Sequence, residues 1–141
     1  MSSLFLREGL HLTKSLNNLS TEMVSIERLD EFCREQNIAF IDFLKMDVEG
    51  YEMEVLVGSG EFLSKKKINV IQFEYGGANI DAKVLLKDLL ELLISNGYKI
   101  YKMHSNFLEP IPSYDQTLEN FQYKNFIAVS DTYQIPDALV G

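Results

Sequence analysis

Two apolar segments constrain this chain more than any other feature. Phe40 to Val48 reads Phe-Ile-Asp-Phe-Leu-Lys-Met-Asp-Val, and Ile68 to Tyr75 reads Ile-Asn-Val-Ile-Gln-Phe-Glu-Tyr. Apart from their charges both are apolar on each alternating face, which is how a central strand of a parallel sheet reads. Both end in acid and then glycine, at Asp47-Val48-Glu49-Gly50 and at Glu74-Tyr75-Gly76-Gly77.

The segments around them supply helices. Leu29, Phe32 and Cys33 fall at helical spacing and mark a short helix ending near Asn37. Met53, Leu56, Val57, Phe62 and Leu63 do the same from Tyr51 to about Lys65, with Gly58 and Gly60 as weak points. Asp81 is an N-cap candidate for a helix from Ala82 to Asn96, whose apolar face is Leu85, Leu89, Leu92 and Leu93. Asn96-Gly97 closes it. Tyr98 to Met103 and Asn125 to Ser130 read as two further strands, joined by a loop containing Pro110 and Pro112, and Met23 to Ile26 as a short one. Alternation of this kind predicts an α/β domain with a parallel sheet flanked by helices, one of the last two strands turning antiparallel at the edge. The division read from the 141 residues is a lead-in loop over 1–22, the domain over 23–133 and a tail over 134–141.

Charge narrows the partners. The net charge is −8, and no basic run exceeds Lys65-Lys66-Lys67. Nucleic acid and anionic membranes are bound through clustered cations, so neither is an expected partner. The single cysteine, Cys33, forms no internal disulfide and suits a reducing compartment. No basic start resembling a signal peptide opens the sequence, and no apolar run approaches the ~20 residues that span a bilayer. The expectation is a cytoplasmic protein.

Ligands of open α/β sheets sit beyond the carboxyl ends of the strands. Asp47 and Glu49 occupy that end of the first strand and Glu74 that of the second, so neighbouring strands bring three carboxylates to one rim. Lys45 and Asp47 share a strand face, and Lys45 is expected to pair with Asp47 or Glu74. The structural alternative is that these acids cap the next helix. Glu52 and Glu54 read as a solvated helix face. Gly58-Ser59-Gly60 lies inside a helical pattern and not in a phosphate loop. His11 and His104 are far apart, and no Cys or His stands at metal-ligand spacing. His104 remains a minor candidate for a base.

The block Leu44-Lys45-Met46-Asp47-Val48-Glu49-Gly50-Tyr51-Glu52 resembles the Leu-Lys-Ile-Asp-Val-Glu-Gly-x-Glu of the FkbM family of S-adenosylmethionine-dependent methyltransferases. Leu29-Asp30-Glu31-Phe32, Val55-Leu56-x-Gly58, Ile71-Gln72-Phe73-Glu74-Tyr75 and Tyr123-x-Asn125-Phe126-x-Ala128-Val129 resemble its flanking elements. The resemblance implies a Rossmann-like methyltransferase sheet, mostly parallel with a terminal antiparallel strand. It implies S-adenosylmethionine as cofactor and methyl transfer to a hydroxyl of a small molecule or sugar. Within that chemistry Asp47 ranks first for an acceptor-side role, as base or hydroxyl anchor, then Glu49, then Glu74, with Lys45 holding the charge geometry. Family members carry a glycine-rich cofactor loop and a ribose-holding acid early in the domain. Residues 1–38 show neither, so the chain corresponds to strands four to seven, apparently without the first strands. The first strand is the family's neighbour for Phe40 to Val48, so self-association through residues 40–48 is expected. Other readings are a non-catalytic remnant that binds a partner, or an unrelated α/β binding module.

Overall fold

The computed structural model describes residues 24–141. The lead-in over residues 1–22 and Met23 lie outside them, and Val24 to Ile26 are irregular where a short strand was expected. In chain order the elements are α1 (Leu29–Glu35), β1 (Ile41–Met46), α2 (Glu52–Gly58), α3 (Gly60–Ser64), β2 (Ile68–Tyr75), α4 (Ala78–Ala82), α5 (Leu86–Ser95), β3 (Tyr98–Met103), β4 (Leu108–Ile111) and β5 (Lys124–Ser130). Two 3-10 turns, Gln116–Leu118 and Asp137–Leu139, sit in the last loop and the tail.

The sheet runs β1-β2-β5-β3-β4. β1 and β2 are parallel, with Ile41 beside Ile68 and Met46 beside Phe73. The other three pairings, β2 with β5, β5 with β3 and β3 with β4, are antiparallel. The expectation of a mostly parallel sheet is therefore corrected. β1, β2 and β3 do point the same way, but β5 returns between β2 and β3 and separates them. β5 is thus interior, not at the edge. The outer strand on that side is β4, formed within the loop expected to be irregular. Its Pro110 lacks an N–H to donate, and an edge strand tolerates that loss.

β1 also departs from its central, doubly buried reading. Among the described residues it pairs only with β2, and Asp42, Phe43 and Lys45 are exposed. One sheet face carries the core. Met46, Ile71, Phe73, Tyr75, Ile100 and Phe126 pack there against Leu56, Phe62, Leu63, Leu86, Leu89, Leu90 and Leu93. Each such leucine stabilises the fold by roughly 1.5–3 kcal/mol through burial. Cys33 lies in this core as expected from its helix face.

The single helix expected from Tyr51 to Lys65 is broken in two. Gly60 adopts φ +47°, and a Cβ there would lie 2.1 Å from Asp30 Oδ2. That carboxylate is held by Arg28 at 2.9 Å. Asp81 is not the expected N-cap, because it lies inside α4, and α5 begins only at Leu86.

Candidate functional site

The parallel register that sets Met46 beside Phe73 carries Asp47 past the end of β1 at the level of Glu74. Lys45 and Asp47 extend from the face opposite the core, and Lys45 Nζ donates to Asp47 Oδ2 at 3.0 Å. Of the two partners expected for Lys45, the structure selects Asp47. Both side chains are more than half exposed, so the pair contributes little stability. Gln72 and Glu74 lie on the same face of β2, and Gln72 Nε2 donates to Asn125 Oδ1 of β5 at 2.8 Å.

Glu74 is the electrostatically perturbed member of the rim. Desolvation pushes its carboxyl pKa up, and the negative charges of Asp47, Glu49 and Glu52 push it further, against a smaller opposing effect of Lys45. Of the three carboxylates read from the sequence, Asp47 and Glu49 thus both act on Glu74. Glu49 reaches the rim by turning and not by strand alternation: β1 stops at Met46 and Glu49 has φ +53°.

Glu52 does not lie on a solvated helix face. It is buried, at 2% exposure, while Glu54 is exposed as expected. Its carboxylate accepts the Gly50 N–H at 3.4 Å and the Asn79 side-chain amide at 3.2 Å. Asn79 Oδ1 in turn accepts the Gly76 N–H at 2.9 Å. The loop after β1 is thereby latched to the loop after β2. Gly50, at φ +104°, is required for this approach, since a Cβ would come within 2.9 Å of the Ala78 carbonyl oxygen. Nothing in the spacing of Asn79 reveals this role. The Gly50-x-Glu52 step is the signal that Glu52 turns back on its own loop.

Glu119 was also not foreseen. Its carboxylate accepts the N–H groups of Leu86 at 3.3 Å and Lys87 at 3.0 Å, capping α5, and a hydrogen bond from the Tyr75 hydroxyl. Burial opposes its ionisation, but the hydrogen bonds from Tyr75, Lys87, Leu86 and Tyr114 prevail and lower its pKa. His104 is occupied locally, with Nε2 2.7 Å from Glu109 and its ring stacked on Phe107.

The described residues do not form a cradle for a nucleoside cofactor at this rim. A Cβ at Gly76 would meet the Tyr123 ring at 2.6 Å, and one at Gly50 would meet Ala78, so protein fills the space beside these strand-end glycines. A groove of about 650 Å³ lies elsewhere, between Lys99 and Tyr101 of β3 and the tail at Tyr133 to Asp137. Among the described residues no group of three or more His, Cys, Asp or Glu is arranged to hold a metal ion. No helix among them is long and apolar enough to cross a membrane.

Comparison with known proteins agrees with the block that builds the rim. The family model described as the methyltransferase FkbM domain matches residues 6–100, a span that ends within β3. The chain is 36% identical over 73 residues to the 2-O-methyltransferase NoeI of Sinorhizobium fredii (strain NBRC 101917 / NGR234). That alignment covers 51% of this chain and 29% of the relative, so the chain spans less than a third of the relative's length. No solved structure matches the chain significantly.

Proposed function

The chain belongs to the FkbM methyltransferase family, and on that premise we propose that it forms the acceptor side of an O-methyltransferase site acting on a hydroxyl of a small molecule or sugar. The observation that carries this reading is the perturbed Glu74 carboxyl beside Asp47 and Glu49, at the carboxyl end of two parallel strands. A carboxyl group whose pKa is raised toward neutrality is suited to accept a hydroxyl proton, a contribution typically worth ~10²–10⁴-fold in rate. Glu74 takes that role best. In this reading Asp47, exposed and paired with Lys45, anchors the acceptor by hydrogen bonding. The name of the 2-O-methyltransferase relative supports oxygen as the methylated atom.

The common direction of β1, β2 and β3, with β5 inserted against them, supports a Rossmann-like methyltransferase sheet. S-adenosylmethionine is the methyl donor that the family implies. The described residues do not fit it, because protein fills the space beside the strand-end glycines. The closed glycines also favour a second reading, a non-catalytic α/β module that binds a partner.

Methyl transfer from radiolabelled S-adenosylmethionine to a panel of mono- and oligosaccharides tests the proposal, using the native protein. Label in an O-methyl ether supports it. No transfer, from a preparation that binds the cofactor, favours the second reading. Calorimetry on the 141-residue chain alone is expected to show binding of S-adenosylmethionine weaker than micromolar.

A further inference from the structure

Glu74 and Asn125 stand directly opposite each other in the antiparallel pairing of β2 with β5, on the sheet face away from the core. Side chains so placed rise from Cβ atoms about 4.5–5.5 Å apart. One ends in a carboxyl group that accepts hydrogen bonds, the other in an amide whose NH2 group can donate two. The two do not bond to each other. Among the described residues the Glu74 carboxylate receives no hydrogen bond, and Asn125 uses only its Oδ1, which accepts from Gln72 Nε2 at 2.8 Å. Reversing both amides would keep that bond but turn the Asn125 oxygen toward the negative Glu74, so charge favours the orientation that leaves the NH2 group for the rim.

Both side chains are half-buried, and desolvation already raises the Glu74 pKa. An acceptor and a donor that are partly removed from water and unmatched cost stability. A ligand that brings one donor and one acceptor on adjacent atoms recovers it. An isolated hydroxyl meets only one of the two groups, and an anionic ligand meets the charges of Asp47, Glu49 and Glu74.

The next positions on this face are Gly76 and Tyr123. A Cβ at Gly76 would meet Cγ, Cδ1 and Cε1 of the Tyr123 ring within 2.9 Å, and one at Gly77 would meet its hydroxyl at 3.4 Å. The ring therefore lies lengthwise over both glycines, beside the Glu74 and Asn125 pair, and Tyr123 is 49% exposed. The rim thus has an aromatic wall next to its polar pair.

We propose that Glu74 and Asn125 bind two neighbouring hydroxyls of a ring sugar, with the Tyr123 ring against its C–H face. The acceptor class is then a vicinal diol on a pyranose, and Asn125 and Tyr123 are specificity-determining residues. The hydroxyl on Glu74 donates to the carboxylate, and the oxygen of its neighbour accepts from Asn125 Nδ2. The inference rests on the O-methyltransferase reading for the identity of the reacting hydroxyl, the one on Glu74.

Calorimetric titration of the native protein with methyl pyranosides, and with their 2-, 3- and 4-deoxy counterparts, tests it beside the methyl-transfer assay. Removing either hydroxyl of the bound pair is expected to weaken binding about threefold to tenfold. Asn125→Ala should weaken the diol sugar by a similar factor and abolish discrimination against one deoxy counterpart, raising KM with little change in kcat. A merely structural role would weaken every sugar alike. Tyr123→Ala should weaken each pyranoside whether or not the second hydroxyl is present, with circular dichroism reporting the fold of both variants. Equal affinity of the unmodified protein for a diol sugar and its deoxy counterparts overturns the proposal without any variant. A folded Asn125→Ala that still discriminates, a folded Tyr123→Ala with undiminished affinity, or no sugar binding at all overturns it too. Sugar binding with these dependences but no methyl transfer refutes the methyltransferase reading and supports the diol site. Methyl transfer indifferent to the neighbouring hydroxyl does the reverse.

Discussion

Asn79 donates its side-chain amide to the buried Glu52 carboxylate at 3.2 Å, joining the turn after β1 to the turn after β2. Through Gly50 and Gly76 that contact sets the spacing of the two loops that follow Asp47 and Glu74. Asn79→Ala leaves a buried carboxylate short of a donor and the Gly76 N–H without its acceptor. The expected loss is about 1–3 kcal/mol in urea unfolding. Asn79→Asp is expected to cost more, because it sets a second carboxylate beside Glu52. A midpoint unchanged in both variants refutes the latch.

Glu74 carries a raised pKa, so its folded form holds a proton more tightly than the unfolded chain does. Stability from this group is therefore greatest below the ordinary value of 4.5 and declines as pH rises through the higher folded value. Glu74→Gln should raise the melting temperature at pH 7, and the gain should vanish on acidification toward pH 4. The same variant is expected to reduce methyl transfer in the native polypeptide. The combination of greater stability and lower activity separates a functional carboxylate from a structural one.

Asp47→Asn removes the negative charge and keeps the shape. The Lys45 partner is solvent-exposed, so the melting temperature should hardly move. kcat/KM of the native protein should fall about tenfold or more, through a rise in KM if Asp47 anchors the acceptor and a fall in kcat if it takes the proton. Unchanged kinetics would make Asp47 a surface charge and nothing more.

Glu119→Ala removes the cap of α5 and the acceptor of the Tyr75 hydroxyl together. The expected cost is about 1–2 kcal/mol at neutral pH. Here the sign is opposite to that of Glu74. The lowered pKa means the stabilisation is present above the ordinary value of 4.5 and is lost as pH falls through the folded value. Wild-type and variant unfolding curves should converge in acid. A constant difference across that range would place the effect in packing instead.

Much of this was legible in one dimension because it depends on near neighbours. β2 and β3 begin and end at the residues their apolar runs mark, and Gly97 closes α5 with φ +83°. The Asp47 to Gly50 block identifies both the family and the rim, since its chemistry lies within one strand end. Contacts between distant segments were not legible. Asp30 breaks a helix at Gly60 because its carboxylate lodges where a Cβ would go, a fact about two segments meeting. Glu119 caps α5 from 33 residues away. Glu52 has the polarity of a surface residue and is buried because Asn79 and Gly50 satisfy it. Strand order likewise turns on where β5 returns: periodicity shows that a segment is a strand, but only the packed sheet decides which neighbours supply its hydrogen bonds.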